Sequence, residues 1–245
     1  MTVKIRFQLQ ISVVAALIFS TINLHAQDPG LNKHGLLIIK EGGKLRSAGK
    51  TNPDKKMADI KKTIPDIVLD LRYTTSNNFM HKTLYPATAT TYVRLSAAKA
   101  LMAIQKELRN MGLGLKIFDA YRPYTVTEKM WEMVKDDRYA ADPKKGSGHN
   151  RGTAVDVTLI HLKSKEELQM GTGYDNFSDT AHHAFMALPK LVLENRKTLR
   201  STMEKYGFRM LETEWWHYSL PNAKDFELLD IPFKTLKKIA GSRAF

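Results

Sequence analysis

The amino-acid sequence predicts a single α+β domain, and three observations support that fold class. At 245 residues, with 43% hydrophobic and 9% aromatic side chains, the chain has the size and composition of one globular domain. Strand-like and helix-like segments do not alternate regularly along it, which favours α+β over a doubly wound α/β sheet. The sequence also lacks the glycine signatures of dinucleotide-binding folds and phosphate-binding loops.

The N-terminal residues predict export. Lys4 and Arg6 precede an apolar run over residues 11–19, and Ala26 provides the small residue that signal peptidases prefer. The run is well short of the roughly 20 residues that a membrane span needs, so a cleaved signal is favoured over an anchor. We therefore expect residues 1–26 to be a signal peptide, the mature protein to enter a bacterial periplasm, and no stable membrane insertion after cleavage.

The composition of the chain excludes several classes of function. Cysteine is absent, so there is no disulfide framework, no thiolate metal ligand and no thiol nucleophile. The formal net charge of +13 would suit nucleic acid or an acidic wall or membrane surface. However, the lysines are spread along the chain without interleaved aromatic residues, unlike the basic, aromatic-lined groove that binds nucleic acid. We expect no nucleic-acid partner.

The rest of the chain divides into two parts. Residues 27–62 are polar and lysine-rich, and we expect them to form a basic leader to a domain over residues 63–245. Apolar periodicity, β-branched runs and glycine or proline boundaries predict the elements of that domain. In chain order they are a strand over 67–73, a helix capped by Ser96 and ending near Gly112, a strand over 115–120, a helix over 127–134, a strand over 153–160, a helix over 191–206, and strands over 208–211 and 215–220.

Two segments carry the candidate chemistry. The first runs from Ser147 to Asp156 and includes His149, and the second is Glu214-Trp215-Trp216-His217. Two histidines and one acid, with a fourth position left to water, form the ligand set of a catalytic rather than a structural zinc site. Zinc held by His149, Asp156 and His217 would keep a net charge of about +1, enough to acidify a water molecule towards neutrality.

The backbone geometry of these segments constrains the site. Gly148 and Gly152 would let the chain turn and bring His149 and Asp156 onto one metal ion. In a regular strand, a spacing of three places Glu214 and His217 on opposite faces. Glu214 is therefore expected in a turn or at a bulge, beside the metal but not bound to it, where it could act as a general base.

Each motif alone also has a structural interpretation. The His149 and Asp156 pair could be a hydrogen bond within a loop, and Glu214-Trp215-Trp216-His217 could be a half-buried strand with core tryptophans. Arg122, which follows a predicted buried strand, could form an ordinary salt bridge.

The motifs taken together closely resemble the D-alanyl-D-alanine dipeptidases, a family of zinc peptidases that includes enzymes of vancomycin-resistance gene clusters. The resemblance extends from about Ile64 to Tyr218. The matching motifs are Arg72-Tyr73 with Asn78-Phe79, Tyr121-Arg122-Pro123, the segment from Ser147 to Asp156, Met170-Gly171 with Asp175, His182-His183, Asn195-Arg196 with Leu199-Arg200-Ser201, and Glu214-Trp215-Trp216-His217-Tyr218.

This resemblance implies a fold and a set of roles. The implied fold is a small, mostly antiparallel sheet flanked by helices, shared with D,D-carboxypeptidases and the Hedgehog signalling domain. The implied cofactor is one zinc ion per chain. By resemblance, the ligands are His149, Asp156 and His217, the general base and later acid is Glu214, and the cation that stabilises the tetrahedral intermediate is Arg122.

The resemblance also implies how a small dipeptide substrate would be held. Asp175 and Tyr73 match positions that receive the free ammonium group, and Ser147 matches one that binds the terminal carboxylate. A site that binds both charged ends would exclude longer chains, because these would leave Asp175 unpaired.

Two other functions are compatible with the same zinc ligands. One is an exported peptidoglycan D,D- or L,D-carboxypeptidase, against which Asp175 argues. The other is a catalytically silent, zinc-bearing binding module, which would need neither Glu214 nor Arg122. The signal peptide and the basic leader depart from the resistance enzymes, which look cytoplasmic, and favour a role in scavenging wall fragments.

Overall fold

The structure is a computed structural model that describes residues 30–87 and 90–240. The expected signal peptide, residues 1–26, lies outside the described residues. Within the described ranges, no helix has the length and apolar character that crossing a membrane would require.

The described residues form the α+β fold that the sequence predicts. The helices are α1 (Gly42–Thr51), α2 (Ile60–Thr63), α3 (Leu95–Asn110), α4 (Tyr124–Val134), α5 (Gly148–Arg151), α6 (Lys190–Lys205) and α7 (Phe233–Ile239). The strands are β1 (Ile38–Ile39), β2 (Met57–Asp59), β3 (Val68–Leu69), β4 (Tyr92–Arg94), β5 (Leu113–Asp119), β6 (Ala154–His161), β7 (Arg209–Leu211), β8 (Glu214–Ser219) and β9 (Leu228–Leu229).

The main sheet has five strands in the order β3-β5-β6-β8-β7. Only β3 and β5 pair in parallel, so the prediction of a small, mostly antiparallel sheet is confirmed. The central strand β6 is buried from Ala154 to Ile160, because strands flank it on both edges and α6 packs on it. Apolar residues of α3, including Leu101, Ile104 and Leu108, join the same core.

The segment expected to be a leader forms regular elements that pair with the rest of the chain. Strand β1 pairs with β9, and β2 pairs with β4. Residues 38–59 are therefore joined by strand pairing to two separate segments that come later in the chain. Helix α1 was not predicted, because its sequence starts with two glycines and its only buried residues are Leu45 and Gly49. Tertiary contacts therefore define this helix more than its own helix propensity does.

Several predicted boundaries differ in the structure. Ser96 does not cap α3: the helix begins at Leu95, directly after β4, and Arg94 occupies the N-cap position in an extended conformation. Helix α4 begins at Tyr124, immediately after Pro123, because proline is well tolerated at the start of a helix. The strand predicted over 67–73 is reduced to β3 and a short 3-10 turn. The last elements, β9 and α7, were not predicted.

A buried arginine links three distant parts of the chain. Arg94 is 0% exposed. Its guanidinium donates to the backbone oxygens of Arg151 (2.7 Å) and Lys55 (2.6 Å) and to Oε2 of Glu227 (3.3 Å). Burial lowers the pKa of Arg94 to about 10, with Glu227 opposing that shift. The cluster connects α5 to the N-terminal segment and to the residues that precede β9.

We expect Arg94→Ala to destabilise the protein by about 3–5 kcal/mol, because it leaves buried oxygens and the Glu227 carboxylate without their partner. The matched control is Arg46→Ala, at an exposed position of α1, which should change the free energy of unfolding by less than about 0.5 kcal/mol. Urea unfolding followed by circular dichroism measures both. Equal unfolding midpoints for the two variants would contradict this role of Arg94.

Candidate metal centre

His149 is held by the short helix α5. Ser147 and Asn150 form a reciprocal capping box at its start, and Gly152 ends it with a φ of 71°. A side chain at position 148 would not fit, because a Cβ on Gly148 would lie 2.8 Å from the Cβ of Ala154. The glycines that flank His149 are therefore required by a close approach on one side and a left-handed turn on the other.

Strand register places the other two candidate ligands side by side. Asp156 on β6 is the direct cross-strand partner of His217 on β8. On its other edge, Asp156 is opposite Asp119 of β5, next to a register shift in that pair of strands. Directly paired residues of antiparallel strands have neighbouring side chains, so the sheet itself aligns Asp156 with His217.

His149, Asp156 and His217 converge on one point. One potential ligand atom from each lies within 4.8 Å of the others. Nδ1 of His217 is 2.9 Å from Oδ1 of Asp156, and Nε2 of His149 is 3.2 Å from Nδ1 of His217. Nδ1 of His149 donates to the Ala120 carbonyl at 2.7 Å, so the lone pair of this ring lies on Nε2. Two imidazoles and a carboxylate, with one imidazole fixed by a backbone carbonyl, fit a divalent metal such as zinc.

The electrostatics of this cluster favour an ionised Asp156. Burial alone would raise the pKa of Asp156, but His149 and His217 hold it well below its ordinary value. Burial lowers the pKa of His217, which favours the neutral imidazole that metal binding requires. Asp156 therefore presents a negative charge beside the neutral imidazole of His217.

Glu214 reaches the same point through an irregularity in the sheet. It is the first residue of β8, and the pairing of β7 with β8 shifts register between Met210 and Leu211. The spacing of three residues between Glu214 and His217 predicted a turn or a bulge at Glu214, and this prediction is thus confirmed. Oε2 of Glu214 lies 3.9 Å from Nδ1 of His217. Burial, followed by the charges of Asp156 and Asp175, raises the pKa of Glu214 well above its ordinary value.

Arg122 is fixed beside the cluster by a buried carboxylate. Oδ2 of Asp119 accepts from Nε of Arg122 at 3.0 Å and from Nη2 at 2.8 Å. Nη2 also lies 3.8 Å from Oδ2 of Asp156. Burial alone would lower the pKa of Arg122, but Asp119 keeps it above the ordinary value, so the guanidinium stays charged.

The remaining candidates line the same cavity. The hydroxyl of Tyr73 is 3.2 Å from each carboxylate oxygen of Asp175. Asp175 has a φ of 58°, and removal from water, followed by the charge of Asp156, raises its pKa to about 7. One cavity of about 230 Å³ is bordered by all eight residues selected from the sequence: Tyr73, Arg122, Ser147, His149, Asp156, Asp175, Glu214 and His217.

Four residues that shape the site were not predicted from the sequence. Asp119 could have been found, because it precedes Arg122 by three residues and carries the opposite charge. Tyr174 is next to Asp175 and lines the cavity. Tyr85, whose hydroxyl donates to Asp119 at 2.9 Å, and Tyr139, at the cavity wall, lie in segments without a motif that could have identified them.

Comparisons with known proteins give a consistent result. Residues 53–239 match the family model described as D-ala-D-ala dipeptidase. The chain is 33% identical over 174 residues to a D-alanyl-D-alanine dipeptidase of Escherichia coli, covering 71% of this chain and 89% of that protein. It is 32% identical to one of Streptomyces coelicolor, covering 66% and 90%, and 30% identical to one of Enterococcus faecalis, covering 62% and 84%.

The convergence of these three side chains predicts that His217 contributes to metal binding. We expect His217→Ala to lose stoichiometric binding of a divalent metal ion, because two donors remain where three converge. The control His161→Ala, at the exposed end of β6, should keep one ion per chain. Metal content after dialysis, measured by atomic emission, tests both variants. An unchanged metal content in His217→Ala would remove this residue from the ligand set.

Proposed function

Because this chain belongs to the D-Ala-D-Ala dipeptidase family of peptidases, we propose that it hydrolyses the dipeptide D-Ala-D-Ala with the help of one zinc ion. The observation that carries this proposal is the convergence of three side chains that could hold a metal ion with a buried carboxyl group and a fixed guanidinium. The cavity of about 230 Å³ is smaller than the pockets of about 300–1,000 Å³ that hold larger ligands, which suits a dipeptide.

The proposed metal ligands are His149, Asp156 and His217. When bound there, zinc would acidify a water molecule and so supply a nucleophile near neutral pH. Glu214 lies beside these ligands and, as the proposed general base, takes the proton of the attacking water. The same carboxyl group, once it has taken this proton, is placed to deliver it to the departing amine.

Arg122 is the proposed partner of the negative charge that develops on the carbonyl oxygen. A fixed cation in a site with little water stabilises such a charge strongly, since it need not reorient during the reaction. Asp119 provides that fixation through two hydrogen bonds to the guanidinium. The residue is therefore charged, oriented and next to the proposed metal ligands before substrate binds.

The substrate is proposed to be held at both ends. Asp175 and Tyr73 would receive its ammonium group, and the hydroxyl of Ser147 would donate to its carboxylate. Asp175 and Ser147 both border the cavity, as this arrangement requires. A substrate without a free ammonium group would leave the carboxylate of Asp175 unpaired and bind poorly.

We also propose that the mature protein acts in a bacterial periplasm, where wall fragments would supply its substrate. The charged and apolar residues before position 27 and the absence of cysteine support export without a disulfide framework. The matched range 53–239 overlaps most of the proposed catalytic domain, residues 63–245, and begins ten residues before it.

The substrate specificity is directly testable. Purified zinc-loaded protein should hydrolyse D-Ala-D-Ala, and turnover of N-acetyl-D-Ala-D-Ala should be at least about 100-fold lower, since the N-blocked dipeptide leaves a buried charge unpaired. L-Ala-L-Ala is the stereochemical comparison. Release of free D-alanine is the measurement. Equal turnover of the acetylated substrate would favour a carboxypeptidase, and no turnover of any substrate would favour a binding module.

A second test separates the proposed base from the ligands. Glu214→Ala should keep one zinc ion per chain while kcat falls by about 10²–10⁴-fold, because a general base contributes about that much. Glu212→Ala, at an exposed position two residues away, is the matched control and should retain full activity. Loss of zinc from Glu214→Ala would instead make Glu214 a ligand.

A further inference from the structure

Tyr174 connects the two ends of the cavity. Its hydroxyl lies 3.0 Å from Oδ2 of Asp156 and 3.1 Å from the hydroxyl of Tyr73. Tyr73 in turn reaches Asp175 at 3.2 Å. A continuous chain of three oxygen–oxygen contacts at hydrogen-bond distance therefore runs from the proposed ammonium acceptor to a proposed metal ligand.

The position of the Tyr174 hydroxyl is well defined by packing. Its ring stacks on Phe118 with centroids 4.8 Å apart and meets Trp216 edge-on at 5.5 Å. The hydroxyl contacts Oδ2 of Asp156, whereas Nδ1 of His217 contacts Oδ1, the other oxygen of the same carboxylate. Because hydrogen bonds of this kind orient metal-binding carboxylates, Tyr174 is placed to fix the rotation of Asp156.

Counting hydrogens shows how the two ends of this chain depend on each other. Two hydroxyls supply two hydrogens for three hydrogen bonds. If both carboxylates are ionised, Tyr174 donates to Asp156 and Tyr73 donates to Asp175, and no hydrogen remains between the two hydroxyl oxygens. A donor at the Asp175 end supplies the third hydrogen, so that Tyr73 can donate to Tyr174 and Tyr174 to Asp156.

Either a proton on Asp175 or the ammonium group of a substrate can be that donor. The pKa of Asp175, raised to about 7, makes the proton available in the free protein near neutral pH. The titratable and charged groups around Asp175 include Tyr73, Tyr174, Arg122, Asp156, Asp119 and Glu214, and a neighbouring cavity that Asp175 borders is also lined by Arg72 and His81. When Asp175 is ionised, an arriving ammonium group that donates to both Asp175 and Tyr73 would supply the missing hydrogen, so its binding would complete the chain of donors to Asp156.

We propose that Tyr174 is a positioning residue that couples ammonium binding at Asp175 to the orientation of the metal ligand Asp156. The inference rests on the proposed function, because it takes Asp156 as a ligand and Asp175 as the ammonium acceptor. Coupling between two sites is reciprocal, so the state of the Asp175 end also changes the affinity for the metal.

The variant Tyr174→Phe tests this role, since it keeps the packed ring and removes only the hydroxyl. Its zinc Kd, measured by competition with a chromophoric chelator, should rise about 10–100-fold, the usual effect of losing a partner of a metal ligand. The matched control is Tyr206→Phe, which removes a hydroxyl that donates to Glu107 on a surface remote from the cavity. The zinc Kd of this control should not change.

A double-mutant cycle with Asp175→Asn distinguishes coupling from a merely structural effect. Asp175→Asn should change the zinc Kd by at least about threefold when Tyr174 is present, and should change it much less when Tyr174→Phe is already introduced. At saturating zinc, Tyr174→Phe should also raise KM for D-Ala-D-Ala by about fivefold, the effect of weakening one hydrogen bond, with a smaller change in kcat.

The outcomes separate this proposal from the proposed function. An unchanged zinc Kd in Tyr174→Phe, or effects of the two substitutions that simply multiply, would overturn the coupling. A wild-type protein that binds zinc but hydrolyses no dipeptide would refute the proposed activity, and the zinc cycle would still decide the role of Tyr174. A wild-type protein that binds no zinc would overturn both.

Discussion

The main constraint on this structure is the removal of several carboxyl groups from water at one place. Asp119, Asp156 and Glu214 are buried, and Asp175 is partly buried, around a single cavity. Isolated buried charges are costly, so each group needs a cation, a hydrogen-bond donor or a proton. Arg122 neutralises Asp119, the histidines and a metal ion would stabilise Asp156, and the raised pKa values show that Glu214 and Asp175 can instead hold protons.

The fold satisfies this constraint through the central strand of the sheet. Strand β6 pairs Asp156 with His217 on one edge and with Asp119 on the other, and α5 brings His149 over the same point. Regular strand pairing thus places Asp156 beside an imidazole on one edge and beside a second carboxylate, which Arg122 neutralises, on the other. The irregularities, a register shift beside Asp119 and another before Glu214, occur where a side chain must be redirected into the cavity.

The sequence predicted the residues of the site more fully than the fold around it. The candidate ligands could be proposed because several motifs occur together in the order of one peptidase family, although each motif alone also fits a structural role. The three-residue spacing from Glu214 to His217 was enough by itself to require the irregularity at Glu214. Tyr174 and Tyr85 could not be recognised, because a tyrosine that is part of a hydrogen-bond network has the same local pattern as one in the core. Helix α1 and the short strands β1 and β9 have weak local signals, since their pairing depends on residues about 190 positions apart.

The cluster around Arg94 has a consequence for how the protein matures. Arg94 connects Lys55, Arg151 and Glu227, so the helix that carries His149 is braced by a segment near the end of the chain. Contacts of such long sequence separation form late in folding. The helix that carries His149 would therefore reach its final position only after the segment with Glu227 has joined the fold, so the candidate metal site forms as a late product of folding rather than as a local motif.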